Sequence, residues 1–195
     1  MKTLWLTGIM TALLACAAPA SASASTADEQ ALMARVQGFY GWVLKNGTQV
    51  SKLQPAIKDI PGSNKFQLDT KNIKVFSGKF MASGYFSPEF PAAIERYYGK
   101  YQQQFAAYTP AEFAQMAKDG RGPLMDTEDM DIFFCGQEYE YKKSFISKMK
   151  ARNIKLDGDK ASMIVVSPYQ WETEFRFARI NSNSQWMITG YCVFQ

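Results

Sequence analysis

Histidine is absent from this chain, and the absence removes more chemistry than any other feature of the composition. Without an imidazole, neither a Ser-His-Asp nor a Cys-His nucleophile can form, and the usual zinc sites lose a ligand. The commonest general base near neutral pH is missing as well. The sequence therefore excludes histidine-dependent hydrolases and imidazole zinc sites.

Long apolar runs and strong charge of one sign are also missing. After the N-terminus, no segment reaches the ~20 apolar residues that are needed to cross a bilayer. The 22 basic and 18 acidic residues are interspersed and give a formal net charge of only +4. We therefore predict no transmembrane segment and no nucleic-acid partner.

The first residues have the pattern of a secretory signal peptide. Lys2 precedes the apolar stretch LWLTGIMTALLACAA, and the small residues PASASAS follow. Small residues at alternate positions suit signal peptidase, so we predict a signal peptide at 1–24 and a single domain at 25–195. The mature protein is expected to be periplasmic or secreted. The alternative is a lipoprotein anchored through Cys16, because LLAC ends in cysteine as a lipobox does.

Cysteine is scarce, with three residues in the chain. Setting Cys16 aside with the N-terminal segment leaves Cys135 and Cys192, an even pair in an oxidising compartment. We predict a disulfide between them, which would stabilise the fold by roughly 4 kcal/mol by restricting the unfolded chain. Two buried, reduced thiols are the alternative.

Apolar spacing predicts a first helix that begins near Thr26 and ends at Asn46-Gly47. Thr26 and Glu29 have the spacing of a capping box, and Asn-Gly is a stop signal. The apolar residues between them share one helix face: Leu32, Val36, Phe39, Tyr40 and Val43. A turn over 58–65 and a weak short strand over 72–80 are predicted to follow.

A second helix is predicted after YFSPEF, with Ser87 as its cap. It carries an aromatic stripe at helical spacing, formed by Ile94, Tyr97, Tyr98, Tyr101, Phe105 and Tyr108. The stripe is interpreted as core packing; the alternative is a wall on which a ligand stacks, with Tyr97 and Tyr101 in a pocket. A cap signal at 109–112 then predicts a short helix that runs to Gly120.

The C-terminal third changes to the period of β-strands. Three runs have apolar faces formed by Ala161, Met163 and Val165; by Trp171, Thr173, Phe175 and Phe177; and by Trp186, Ile188, Gly190, Cys192 and Phe194. Turn signals at Asp157-Gly158 and 181–184 separate the strands. We predict an antiparallel meander with one packed face, and hence an α+β domain with helices first and strands last.

The segment DMDIFFCGQEYEY, residues 129–141, lies between the helical half and the meander. We interpret it as the start of the sheet, held to the final strand through its cysteine. An extended segment would place Asp131 and Gln137 on one face. These residues are expected either to form a structural network, with Asp131 capping a turn, or to line a pocket mouth together with Glu138.

Residues 131–139, DIFFCGQEY, resemble the D-x-F-x-x-A-Q-D-W signature of the family called domain of unknown function 3828. Gly136 stands at the position of the small residue, Glu138 at the acid and Tyr139 at the aromatic residue. FYGWVL, YFSPEF and SQWMITGYCVF are similar to further motifs of that family. The resemblance implies a small exported α+β domain with the cone-shaped fold of nuclear transport factor 2-like proteins, and it implies no reaction.

Carboxylates offer the main chemistry that remains. Two pairs of acids, Glu138 with Glu140 and Glu172 with Glu174, would share a strand face, and paired acids can hydrolyse glycosides when they flank a cleft. A further group could hold a calcium ion: Asp126, Glu128, Asp129 and Asp131. That group lacks the glycine and distal glutamate of a calcium loop, so we interpret all these acids as solvated or structural charge.

Ser147 and Lys150 match the S-x-x-K pattern of penicillin-binding enzymes, but the companion K-T-G is absent. We interpret the match as chance in a lysine-rich stretch. The sequence therefore predicts that the protein is not an enzyme, with no catalytic residue, no metal site and no cofactor.

Three functions follow from these patterns. The first is an exported, non-catalytic binding domain of the cell envelope with a protein partner, one version being an immunity protein that plugs a toxin. The second is a small-molecule carrier or sensor, and the third is a carboxylate-based hydrolase. The candidate binding residues are Asp131, Gln137, Glu138, Tyr139, Tyr97 and Tyr101.

Overall fold

The computed structural model describes residues 26–63, 65–127, 130–137, 141–179, 181 and 184–195. The predicted signal peptide, Cys16, Glu138 and Tyr139 lie outside these residues. Within them, helices come first and a four-stranded antiparallel sheet comes last, so the predicted α+β class is confirmed. The cone shape of nuclear transport factor 2-like proteins stays a prediction.

The structure contains five helices and six strands in the described residues. The helices are α1 (Thr26–Ser51), α2 (Ile73–Ala82), α3 (Phe90–Ala107), α4 (Pro110–Lys118) and α5 (Lys143–Ile146). The strands are β1 (Ala56–Asp59), β2 (Phe66–Asp69), β3 (Lys150–Asp157), β4 (Lys160–Val166), β5 (Glu172–Ala178) and β6 (Met187–Tyr191). The first two strands form a hairpin of their own, and the other four form the sheet in chain order.

The first helix runs past its predicted end. Val50 is buried, so the apolar face of α1 continues for one more turn. The Asn46 side chain donates to the Trp42 carbonyl oxygen, 2.9 Å away, and so stays within the helix instead of ending it. A Cβ on Gly47 would lie 3.1 Å from Val43 Cγ1, a tight contact, and 3.7 Å from the ring of Phe133. The prediction that Asn46-Gly47 stops the helix was therefore wrong.

The predicted short strand over 72–80 is also wrong, because these residues form most of α2. Phe76 and Phe80 lie one turn apart, are fully buried and meet edge to face at 5.3 Å. The predicted turn over 58–65 is confirmed: it joins β1 to β2, which pair antiparallel with Ile57 opposite Leu68. Asn64 lies outside the described residues.

The second predicted helix, α3, begins at Phe90 rather than at Ser87. The Ser87 amide instead donates to the Ile188 carbonyl oxygen at 2.9 Å, and Phe86 forms a parallel bridge with Ile188. The chain must leave this pairing before it can coil, which places Pro91 within the first turn of α3, where prolines are tolerated.

The next helix, α4, begins as predicted. The Thr109 hydroxyl accepts the Glu112 amide at 3.3 Å, and the Glu112 carboxylate accepts the Thr109 amide at 2.7 Å. These reciprocal bonds confirm the predicted cap. The helix ends at Lys118, close to the predicted stop at Gly120.

The predicted meander is confirmed, with all neighbours antiparallel. One face of the sheet is packed, and its apolar residues include Met163, Val165, Phe175, Phe177 and Ile188. The alternation breaks at the end of β6, where Gly190 and Tyr191 are both buried. Cys192 follows with a φ of 55°, so the predicted continuous strand face through Cys192 and Phe194 was wrong.

Aromatic side chains from the helices and the sheet meet in one core. Phe39 of α1 packs at 4.8 Å from Phe86 and at 5.3 Å from Tyr191, and Phe90 of α3 stacks on Tyr191 at 5.9 Å. Such contacts bury large apolar areas and fix the helices on the inner face of the sheet. No helix in the described part of the chain is both long and apolar enough to cross a membrane.

Candidate functional site

Residues 131–137 form a tight turn, which we call the Asp131 turn. The Asp131 carboxylate accepts the amides of Phe133 and Phe134 at 2.8 and 2.9 Å. The Asp131 backbone amide donates to the Gly136 carbonyl oxygen at 2.8 Å. The Asp131 carbonyl oxygen accepts a hydrogen bond from the Cys135 amide at 2.8 Å. The segment is therefore not the start of the sheet. The interpretation of Asp131 as the cap of a turn is confirmed.

The turn is fastened to the end of the sheet by two cysteines. The structure places Cys135 and Cys192 at disulfide distance, with Cα atoms 5.8 Å apart. This is the predicted pairing, and both residues adopt a left-handed backbone, with φ of 54° and 55°. The Tyr191 hydroxyl adds a hydrogen bond to the Ile132 carbonyl oxygen at 3.1 Å.

Gly136 is the point where the turn meets the loop before β5. A Cβ built on Gly136 would overlap the indole ring of Trp171. In this chain, position 136 therefore requires a residue as small as glycine for steric reasons. The predicted alignment of Asp131 and Gln137 on one strand face fails, because the turn has no pleat.

The predicted site residues occupy different environments. Asp131 borders a cavity of about 350 Å³ between the turn and α1, while its carboxylate is engaged by the turn amides. Gln137 is exposed, and its carbonyl oxygen accepts the Tyr141 hydroxyl at 2.7 Å. Glu138 and Tyr139 lie outside the described residues. Whether any of them binds a ligand stays a prediction.

Tyr97 and Tyr101 of α3 are packed in the hydrophobic core, with exposures of 8% and 2%. The Tyr97 hydroxyl donates to Thr127 at 3.4 Å, and the Tyr101 hydroxyl accepts the Asp126 amide at 3.1 Å. Burial raises the pKa of both tyrosines, and the Tyr101 hydroxyl lowers the pKa of Asp126. This arrangement matches the core-packing interpretation of the stripe.

An aromatic group lies beside the Asp131 turn, and we call it the aromatic surface. It consists of Tyr141, Phe145, Tyr169 and Trp171. Phe145 is 5.3 Å from Tyr141 and 5.7 Å from Tyr169, and Tyr169 is 5.6 Å from Trp171. Tyr141 also stacks on Phe134 of the turn at 3.8 Å. The group therefore continues from the core to the outside.

Tyr169 is the exposed member of this surface, with 52% of its area accessible. It lies in the hairpin loop 167–171, where the Ser167 hydroxyl accepts the amides of Tyr169 and Trp171 at 3.2 and 3.1 Å. The Gln170 amide donates to the Ser167 carbonyl oxygen at 3.0 Å, and Gln170 has a φ of 68°. These bonds hold the loop in one conformation and present the tyrosine ring to solvent.

Exposed lysines lie next to the aromatic surface. Lys143, Lys148 and Lys150 are exposed, and none forms an ion pair with a described residue. Lys148 and Lys150 border a cavity of about 490 Å³ together with Pro168 and Gln170 of the hairpin loop. The aromatic surface therefore has a basic rim.

The S-x-x-K residues border the same cavity but not in a nucleophile arrangement. Ser147 follows the end of α5 and donates to the Ser144 carbonyl oxygen at 3.2 Å, whereas Lys150 begins β3. The acids of β5 are engaged in ion pairs: Glu172 with Arg152, and Glu174 with Arg176 at 3.3 Å. Within the described residues, no cluster of three or more candidate ligands could hold a metal ion.

The sequence analysis missed Tyr169, Trp171 and the lysine rim as parts of one surface. The signal in the sequence was the loop SPYQW, in which an aromatic residue sits between a proline and a polar turn residue. Comparisons with protein families, with curated proteins and with solved structures found no match to this chain. The resemblance of residues 131–139 to domain of unknown function 3828 stays a prediction.

Proposed function

We propose that this protein is an exported, non-catalytic binding domain of the cell envelope, and that its partner is another protein with an acidic surface. The observation that supports this most is Tyr169, an exposed aromatic ring on a hydrogen-bonded loop, with exposed lysines beside it that form no ion pair with a described residue. Export is supported by the N-terminal sequence and by the paired cysteines.

Aromatic residues are enriched at the centres of protein interfaces, where they bury large areas with few rotatable bonds. The loop is already ordered by its hydrogen bonds, so binding would cost little further conformational entropy. Lys148 and Lys150 would favour an acidic partner and increase the rate of encounter. An immunity protein that covers a toxin surface is one version of this function.

A second candidate is a small-molecule carrier or sensor. Tyr97 and Tyr101 contribute little to it, because their rings are packed in the core. A different cavity, lined by Arg35 and Arg179, supports it.

The protein-binding proposal can be tested by site-specific photocrosslinking in the cells that export the protein. A photoreactive phenylalanine at position 169 should give one discrete adduct. The same group at Val75, which has an equal exposure of 52% on α2, should give none. Changing Lys148 and Lys150 to Glu should abolish the adduct, while Lys74→Glu with Lys79→Glu on α2 should leave it intact.

Adducts of the same kind from positions 169 and 75, or none from 169, would contradict the proposal. Far-ultraviolet circular dichroism and thermal unfolding of each purified variant would establish that the loss of an adduct is not a loss of the fold.

A further inference from the structure

A cavity of about 360 Å³ lies on the surface of α1, away from the aromatic surface. It is lined by Arg35 and Gly38 of α1, by Tyr85, and by Arg179 and Trp186 of the sheet region. We call it the arginine cavity. Its volume is within the range of small-ligand sites in proteins.

Arg35 is the unusual member of this cavity, since only 7% of its area is exposed. Its Nη1 donates to the Gly84 carbonyl oxygen at 3.1 Å, and its guanidinium lies 5.4 Å from the centre of the Tyr85 ring. Its Nη2 is buried and has no hydrogen-bond partner among the described residues. Most buried polar groups in proteins do have a partner.

The positive charge of Arg35 is also uncompensated in the described part of the chain. The carboxylate that lines the cavity, that of Asp28, accepts from Arg179 Nη1 at 3.4 Å and from the Trp186 indole at 3.2 Å. Arg179 also bonds to Asp159 at 3.3 Å. A buried cation without an anion is costly, and burial lowers the pKa of Arg35.

Two aromatic rings form the walls around this charge. The Arg179 guanidinium lies 4.2 Å from the centre of the Trp186 ring and holds it in place. Tyr85 approaches α1 closely because residue 38 is glycine: a Cβ there would lie 2.5 Å from the tyrosine ring. The cavity is therefore lined by a guanidinium with one unpaired nitrogen and by two aromatic side chains, with the Asp28 carboxylate beside them.

We propose that the arginine cavity binds the carboxylate of a small organic acid with a flat apolar body, with an anionic oxygen accepting a hydrogen bond from Arg35. Hydrogen bonds between a guanidinium and a carboxylate are among the strongest in proteins. Asp28 makes a doubly charged anion such as phosphate a poorer fit than a monocarboxylate, because its negative charge would oppose the second charge. This site is separate from the aromatic surface and does not depend on a protein partner.

The test is a titration followed by NMR at the indole N–H of Trp186, which lies in the cavity wall and can be assigned by its loss in Trp186→Phe. Sodium benzoate should shift this signal saturably, whereas neutral benzamide should not. Inorganic phosphate should bind at least tenfold more weakly than benzoate. Arg35→Met should weaken benzoate binding at least tenfold, and Arg96→Met, at an exposed arginine of α3, should leave it unchanged.

A steric variant keeps the test decisive if Arg35→Met fails to fold. Ala34 is exposed and lines the cavity, so Ala34→Phe should block benzoate, while Ala114→Phe at an exposed position of α4 should not. Absence of a saturable shift in the native protein would overturn the proposal. So would equal binding of benzamide, tighter binding of phosphate, or unchanged affinity in both Arg35→Met and Ala34→Phe.

Discussion

Asp131 holds the turn at residues 131–137 through one carboxylate oxygen. Its Oδ1 accepts the amides of Phe133 and Phe134, whose side chains are buried. Replacing the acceptor would leave two N–H groups without a partner in a segment that the core holds closely. The negative charge itself is not needed for this geometry, since an amide oxygen accepts in the same direction.

We expect Asp131→Ala to lower the free energy of unfolding by roughly 1–3 kcal/mol, the usual cost of leaving buried donors unpaired. Asp131→Asn retains an oxygen at the same position and should cost clearly less. Urea denaturation of the two variants and the native protein, all oxidised, measures the difference. Equal losses in both variants would show that charge, rather than an acceptor, stabilises the turn.

Glycine positions in α1 show how closely helix packing depends on single atoms. Gly41 has open space where a Cβ would lie, whereas a Cβ on Gly38 would meet the Tyr85 ring at 2.5 Å. Alanine favours the helix over glycine by roughly 0.5–1 kcal/mol, so only the position without a neighbour can benefit. Tyr85 also contacts Arg35 of α1, whose guanidinium lies 5.4 Å from the centre of the tyrosine ring.

Gly41→Ala should therefore raise the free energy of unfolding by up to about 1 kcal/mol. Gly38→Ala should lower it by roughly 1–3 kcal/mol, because overpacking outweighs the gain in helix propensity. Thermal unfolding followed by circular dichroism at 222 nm compares the pair directly. An increase in stability for both variants would mean that Tyr85 can be displaced at no cost.

The sequence predicted correctly the features that depend on residues close together in the chain, and it failed where contacts between distant residues decide the structure. The cap of α4 and the faces of β4 and β5 depend on neighbours in sequence, and these were predicted correctly. The strand predicted over 72–80 was wrong because Phe76 and Phe80 also fit a helix, and only their burial against α3 decides between the two. The start of α3 shifted because Ser87 pairs with Ile188, a contact between residues far apart in sequence.

In the candidate sites, too, features that depend on contacts between distant residues could not be predicted from the sequence. The pairing of Cys135 with Cys192 could be predicted, because only two cysteines remain after the N-terminal segment. Nothing in the sequence indicates that Arg35 would be buried without a carboxylate, or that Trp171 would cover Gly136. Both depend on how α1, the Asp131 turn and the loop before β5 meet in three dimensions.

At the scale of the whole molecule, the paired cysteines join the helical part of the chain to the end of the sheet. The Asp131 turn follows the helices, and Cys192 follows the last strand, so a Cys135–Cys192 bond fixes the helical part to the end of the sheet. The Tyr191 hydrogen bond to Ile132 and the Trp171 contact with Gly136 lie at the same junction. The aromatic surface rests on this junction through Phe134 and Tyr141.

Removing the disulfide should therefore act on both stability and the aromatic surface. Cys135→Ala combined with Cys192→Ala should lower the free energy of unfolding by roughly 2–4 kcal/mol, because the unfolded chain regains its freedom. It should also reduce the yield of the crosslink from position 169. The control is the native protein treated with reductant, which should match the stability of the double variant. Two free thiols in the protein isolated from its natural compartment, found by alkylation and mass spectrometry, would contradict both the link and the export proposal that it supports.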